Sequence, residues 1–344
     1  MEHSKDEEHD VPGVTPRELF SLLGNETRVA ILESMWELWS PESDPYNREA
    51  LSFSDIRAAV DVRDSGNFNY HLSQLNDHFV RQTEEGYRLT NAGLHVIRAV
   101  LAGSLTDPVN VDALETGVPC SYCGTVTILR YDDDHLYLLC PNCPGHTTSD
   151  RWPDGILASF GFPPAGLQNR EANEVLQAGL TWYDAKTAPM MEGVCPECAG
   201  EVDESVVVCP DHEPLEDGVC ERCLMVRPIW LLYECRNCRY WRIFSLERFL
   251  YDRPPVVSFF FERGVDLVDR RRETASYVLE SDADVTSDDP LTIRVRLPFE
   301  GDVLRLGLET TYDSTEPFGH YGGNPSVYRG ASLSVTDYEV VSDR

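Results

Sequence analysis

CPECAGEVDESVVVCPDHEPLEDGVCERCLMVRPIWLLYECRNC, residues 195–238, decides how the second half of this chain is built. It holds four short ligand pairs: Cys195/Cys198, Cys209/His212, Cys220/Cys223 and Cys235/Cys238. Two more pairs, Cys120/Cys123 and Cys140/Cys143, lie upstream. All 11 cysteines sit in such pairs, and His212 brings the ligand count to twelve. Twelve ligands fill three tetrahedral zinc sites with none left over, so about three structural Zn2+ ions are expected.

The upstream set, Cys120-x2-Cys123-x16-Cys140-x2-Cys143, has zinc-ribbon spacing, and TVTILRYDDDHLYLL between its halves reads as two strands around an Asp-rich turn. A unit of a few dozen residues buries little core, so its ion would supply most of its stability, ~10–16 kcal/mol in apparent binding energy near neutral pH. In residues 195–238 the eight ligands imply two ions without fixing their pairing. Consecutive, nested and crossed pairings all fit; nesting would let ESVVV and IWLLY pair as ribbon strands. His135 and His146 read as bystanders, with His146 a substitute should one cysteine not ligate. Iron–sulfur ligation explains strands between the pairs less well than zinc does. A redox dithiol would need an activated pair in a thioredoxin-like setting. A catalytic ion would keep one position open, which a complete set of twelve ligands opposes.

Charge sets the environment. The 344 residues carry 59 acidic and 29 basic side chains, a formal net charge of -30. Only Lys5 and Lys186 are lysines, so nearly all basic charge is arginine. Such an acidic, lysine-poor chain suits concentrated salt, as in a halophile, and there acidity loses its usual force against nucleic-acid partners because the counterion-release contribution is suppressed. Recognition would lean on base edges and shape. No stretch approaches ~20 consecutive apolar residues, so no membrane partner is expected. The opening MEHSKDEEHD is polar and acidic, unlike a signal peptide, and the expected location is cytoplasmic, where paired cysteines favour metal over disulfide.

The fold class read from the chain is α+β: an N-terminal winged helix-turn-helix followed by small β-rich zinc-ribbon domains. Residues 1–14 read as a disordered acidic tail. Residues 15–105 form the first domain, in the order helix, helix, helix, tight turn, helix, hairpin, helix. Thr15, Asn25, Ser52 and Asn91 are its helix caps, SPESDPYNREA is a loop, and the hairpin turns at Glu85-Gly86. Residues 106–190 hold the first ribbon and a linker helix near REANEVLQAGLTWYD. Residues 191–250 hold the two-zinc cluster. Residues 251–344 are a β-rich segment in which VVSFFF and LTIRVRLPF read as strands, SDADVTSDD as a solvated loop and the glycine-rich tail as flexible.

In a winged helix the helix after the turn enters the major groove. In SGNFNYHLSQLND, Phe68, Leu72 and Leu75 recur at i, i+4, i+7 and face the core. Ser65, Asn67, Asn69, Tyr70, His71 and Gln74 are then the candidate DNA contacts on this helix, and Arg81, Gln82 and Arg88 those on the wing. Asn and Gln can bond adenine bidentately, and Tyr and His can reach phosphates or base edges. His71 ranks below Asn67, Asn69 and Gln74, because a single helical histidine is more often buried.

LFSLLGNETRVAIL, SFSDIRAAV, the run Tyr70-His71-Leu72-Ser73-Gln74-Leu75, and YRLTNAG together resemble the ArsR-type winged-helix regulators over residues 15–104. The resemblance implies a transcription regulator that binds double-stranded DNA as a homodimer, joined through its first and last helices. The founding metal sensors carry cysteines on the helix before recognition, and FSDIRAAVDV has none, so metal sensing there is not implied. With PCSYCG, CPNCPG, FPPAG and GVCPEC downstream, the whole chain resembles a haloarchaeal branch of that family.

The reading that follows is a non-enzymatic DNA-binding transcription regulator with structural zinc, its C-terminal half open to an effector or protein partner. Three readings stand beside it: a general transcription or RNA-polymerase accessory factor, a zinc-dependent enzyme with a DNA-binding head, and a redox sensor with a labile knuckle. No Gly-rich nucleotide loop or nucleophile elbow is present.

Overall fold

A computed structural model of the chain describes residues 15–39, 50–103, 109–267, 280–317 and 325–342. The acidic tail 1–14, nearly all of the loop 40–50 and the centre of the glycine-rich tail lie outside them. The chain divides into two compact units, Met1–Asp107 and Pro108–Arg344.

The first unit holds α1 (Pro16–Leu23), α2 (Glu26–Leu38), α3 (Phe53–Ala59), α4 (Ser65–Leu75), a hairpin of β1 (Val80–Thr83) and β2 (Gly86–Leu89), and α5 (Asn91–Leu101). Local chemistry sets the helix starts. Thr15 and Glu18 close a capping box at α1, Asn25 caps α2, and Ser52 accepts from Asp55 N at α3. Asp64 caps α4 by accepting from Gly66 N and Asn67 N. The last helix is capped by Thr90 rather than Asn91, which is its first helical residue. Thr90 is better placed, since its hydroxyl both donates to His78 O at 2.7 Å and accepts from Gly93 N. The core of this unit gathers Ile31, Leu32, Met35, Ile56, Phe68, Leu72, Leu75, Phe79 and Val80.

Among the described residues, the second unit is built on three antiparallel sheets. The first has β3 (Val111–Pro119), β4 (Val126–Asp132), β5 (His135–Leu139) and β6 (Ile156–Gly161) in that order. Asp133 and Asp134 make its Asp-rich turn in the left-handed region. The helix α6 (Ala172–Met191) lies on this sheet, burying Val175, Leu176 and Leu180 against Leu136 and Phe160. Gly179 permits the approach: a Cβ there would stand 2.6 Å from Leu136 and 2.9 Å from Phe160.

The second sheet is ordered β13 (Ser314–Pro317), β14 (Ser326–Arg329), β7 (Val202–Val208), β8 (Ile229–Cys235), β9 (Trp241–Ser245). ESVVV and IWLLY do pair, in the register Val202↔Cys235 to Val208↔Ile229. The third sheet is β10 (Asp282–Asp288), β11 (Leu291–Phe299), β12 (Asp302–Thr310) and β15 (Ser334–Ser342). The largest core combines Val206, Val208, Ile229, Leu231 and Phe244 of the second sheet with Leu291 to Leu308 of the third, α7 (Leu246–Leu250) and α8 (Pro254–Phe261). The valine run of β7 is apolar on successive residues because both faces are covered. Val206 and Val208 join the large core, while Val207 joins Cys209, Cys220, Cys223, Met225 and Trp230.

Three expectations are corrected here. VVSFFF is helical, within α8: Pro254 and Pro255 open the helix, and Val256, Phe259 and Phe260 turn inward at helical spacing. The three-and-four spacing thus outweighs β-propensity, which tertiary packing readily overrides. SDADVTSDD is mostly strand β10, not a loop, because Asp282 and Asp284 stand opposite Arg296 and Arg294 while Ala283 and Val285 pack inward. The segment after residue 250 is not separate from the cysteine cluster, since β14 pairs with β7, Val327 opposite Val207.

Candidate metal centres and the exposed face of the fourth helix

Folding gathers the twelve predicted ligands into three sets of four: Cys120, Cys123, Cys140, Cys143; Cys195, Cys198, Cys235, Cys238; and Cys209, His212, Cys220, Cys223. The ligand atoms of each set lie within 4.8 Å of one another. The pairing that sequence left open is therefore nested. Strand register decides it: pairing Val202 with Cys235 brings the first and last knuckles together at one end of the β7–β8 hairpin. The loop at the other end, after Val208 and before Ile229, carries the inner four ligands.

The geometry fits a tetrahedral metal. Sulfur–sulfur distances are 3.7 Å (Cys120–Cys143), 3.4 Å (Cys123–Cys140), 3.6 Å (Cys195–Cys238) and 3.5 Å (Cys198–Cys235), and His212 Nδ1 lies 3.5 Å from Cys223 Sγ. A disulfide requires about 2.05 Å. Ligands at about 2.3 Å from a central ion stand about 3.8 Å apart at the corners of a tetrahedron. A four-coordinate ion in any of these sets has no position left for a substrate.

Four of the six knuckles share one turn. The N–H of the residue four past the first cysteine donates to that cysteine's carbonyl: Gly124 to Cys120, Ala199 to Cys195, Leu224 to Cys220, Arg239 to Cys235. Each of those four residues is left-handed, with φ of 75°, 56°, 58° and 64°. Amides inside the turns point at sulfur, as Tyr122 N to Cys120, Glu197 N to Cys195 and Asn237 N to Cys235, each at 3.4 Å. The Cys140 knuckle differs because Pro144 occupies the fourth position. There Cys140 N donates to Gly155 O at 2.7 Å instead.

Two exposed thiols are held acidic by polar neighbours. The Thr125 hydroxyl and amide beside Cys123 hold its thiol down to about 6. The side-chain amide of Asn237, 3.6 Å from Cys198, does the same there, also to about 6. Both neighbours thus favour the thiolate, the form that ligates a metal ion. Asn237 was not singled out from sequence; its place inside the Cys235/Cys238 pair was the available signal.

His135 and His146 belong to none of the three sets. His135 is exposed and its Nδ1 lies 2.9 Å from Asp133 O. His146 packs edge-on against Tyr122 and Trp230, and its Nδ1 lies 2.7 Å from Tyr122 Oη. Burial pushes its pKa down to about 4, so it is neutral.

In the first unit, Ser65, Asn67, Asn69 and Tyr70 of α4 are exposed and Gln74 is half-buried, while Phe68, Leu72 and Leu75 face the core. His71 departs from the candidate stripe. It is buried, 9% exposed, and desolvation together with the Arg28 charge lowers its pKa. On the hairpin, Arg81 and Gln82 are exposed, and Gln82 N donates to Asn76 Oδ1. Arg88 is half-buried and ion-paired with Glu85 at 2.6 Å.

No curated protein and no solved structure matches the chain. Two family models do. One, described as a domain of unknown function, DUF7347, spans residues 16–100, the helices and hairpin of the first unit. The other, also described as a domain of unknown function, DUF7351, spans residues 117–313, which include all twelve ligands. Because that match covers more than half of the 344 residues, the chain belongs to the DUF7351 family.

Proposed function

We propose that this protein is a DNA-binding transcription regulator. Its first unit acts as a winged helix whose α4 enters the major groove, and its second unit is held together by three structural zinc ions. The observation that carries the DNA reading is the division of α4. Phe68, Leu72 and Leu75 anchor the helix while Asn67, Asn69 and Tyr70 stand in solvent with Gln74 beside them. Amide side chains on an exposed helix face suit adenine edges, and Arg81 on the adjoining hairpin suits backbone phosphate. His71 is not among the readers, because its side chain is buried.

Exposed apolar residues support the homodimer that the resemblance implies. Phe20 on α1 is 75% exposed and Leu101 on α5 is 49% exposed, on the first and last helices. Zinc is the ion that sulfur-rich, four-ligand sets with one histidine favour, and the full coordination of each set supports a structural rather than a catalytic role.

Selection from a random pool of duplex DNA by the full-length protein in concentrated salt tests the reading. A single enriched motif, two-fold symmetric as a dimer requires, is expected, together with its loss in the Asn67→Ala, Gln74→Ala variant. A pool indistinguishable from the input would refute it.

A further inference from the structure

The first metal centre and the inner one share a wall, and the outer centre does not. Immediately after the Cys140/Cys143 knuckle, residues 146–148 run antiparallel to residues 224–226, which immediately follow Cys223. Thr148 N donates to Leu224 O at 3.1 Å, Val226 N donates to His146 O at 3.1 Å, and the Thr147 hydroxyl donates to Leu224 O at 2.5 Å. Leu224 is itself the left-handed residue of the Cys220 turn, its N–H bound to Cys220 O. The peptide that shapes the inner knuckle is thus clamped on its carbonyl side by the chain leaving the first knuckle.

Side chains repeat the link. Tyr122, inside the Cys120/Cys123 knuckle, meets His146 through its hydroxyl and its ring. The His146 ring stands edge-on to Trp230 at 5.7 Å, and Trp230 packs in one cluster with Cys209, Cys220, Cys223 and Met225. The outer centre lies at the far end of the β7–β8 hairpin. Val208 lies six residue steps from Val202, about 20 Å of strand. Its neighbours are Gly200, Asn237 and the Lys186–Glu197 pair, not the shared wall.

We propose that the first and inner centres form one cooperative two-metal unit, in which loss of either ion loosens the other, while the outer centre binds and releases its ion independently. The proposal rests on the metal reading above. Coupling requires that both sites bias one shared element, and here that element is the 146–148/224–226 bridge with its Tyr122–His146–Trp230 stack.

Timed removal of zinc from the full-length protein by an excess of a coloured chelator tests this. Three ions per chain are expected, leaving in a two-ion step and a separate one-ion step. Cobalt substitution identifies the steps, because the inner Cys3His set and the all-sulfur sets differ in visible absorption. The inner signal should disappear together with one of the two all-sulfur signals. In Thr147→Val with Tyr122→Phe, which removes two hydroxyls from the bridge and changes no ligand, the two-ion step should split into rates at least about fivefold apart, the low end of ordinary site-to-site coupling. Three unrelated steps in the wild type, or an unsplit two-ion step in the variant, would overturn the coupling while leaving the metal reading intact. Fewer than three ions per chain would overturn the metal reading and the coupling with it.

Discussion

Serine at both Cys195 and Cys235 separates the nested pairing from its alternatives by a whole ion. In the structure these two cysteines belong to one set, with Cys198 and Cys238. Removing both destroys that one site, so the metal content should fall from three ions to two. If consecutive pairs shared an ion, Cys195 would belong with Cys209 and His212, and Cys235 with Cys220 and Cys223. The same double substitution would then cripple two sites and leave one ion. A crossed arrangement also leaves one. The expected damage is local. The outer knuckles close only one end of the β7–β8 hairpin, where Arg236 pairs with Glu201 and Asp203, and the inner set is fastened at the other end. Native mass spectrometry, with elemental analysis of the same preparation, reads the count directly. Two ions per chain are expected; one would refute the nested assignment, and none would refute the separability of the sites.

Other substitutions and conditions test particular contacts. A Cβ at Gly155 would stand 1.9 Å from Cys140 O at φ +74°, so Gly155→Ala should cost well over the ~1–2 kcal/mol of left-handed strain alone. Gly117→Ala, at the same φ with nothing within 4 Å, is the control; equal losses in chemical denaturation would contradict the clash. Arg239 holds φ 64° with its side chain 83% exposed and a loose 3.7 Å ion pair to Glu234. Arg239→Gly should therefore stabilise by about 0.5 kcal/mol, strain relief less the added freedom of the unfolded chain; a clear loss would count against it. His146 has its pKa lowered from 6.5 to about 4, so its contribution is present above pH 6.5 and lost as pH falls toward 4. Between pH 7 and 5.5 that loss is ~1 kcal/mol. The difference in slope between the wild type and His146→Phe measures it, and parallel slopes would exclude it.

The parts of this fold that were legible in sequence are those fixed by neighbours in the chain. The caps at Thr15, Asn25 and Ser52, the hairpin, whose turn falls at Glu84-Glu85, one residue before the expected Glu85-Gly86, and the Asp-rich turn before His135 all follow from residues within a turn of one another. All twelve ligands were legible too, because knuckle spacing is a local property. Which knuckle meets which was not, since it depends on the register of β7 against β8, whose paired residues lie 21 (Val208 and Ile229) to 33 (Val202 and Cys235) positions apart. The addition of β14 to β7 was hidden for the same reason, with more than a hundred residues between the partners. VVSFFF misled through composition: its residues favour strands, and only the large core that takes up Val256, Phe259 and Phe260 makes it helical. His71 sat at the border of two helical stripes, and small rotations of α4 decide between solvent and core at such a position.

Genome-wide occupancy of the tagged protein in its native cell asks most directly whether α4 reads DNA sequence. It should be recorded beside the Asn67→Ala, Gln74→Ala variant, whose substitutions leave the buried face of α4 untouched. Discrete promoter peaks that vanish in the variant are the expected result. A diffuse or polymerase-tracking signal, unchanged by the substitutions, would contradict a sequence-reading regulator and favour an accessory factor of the transcription machinery.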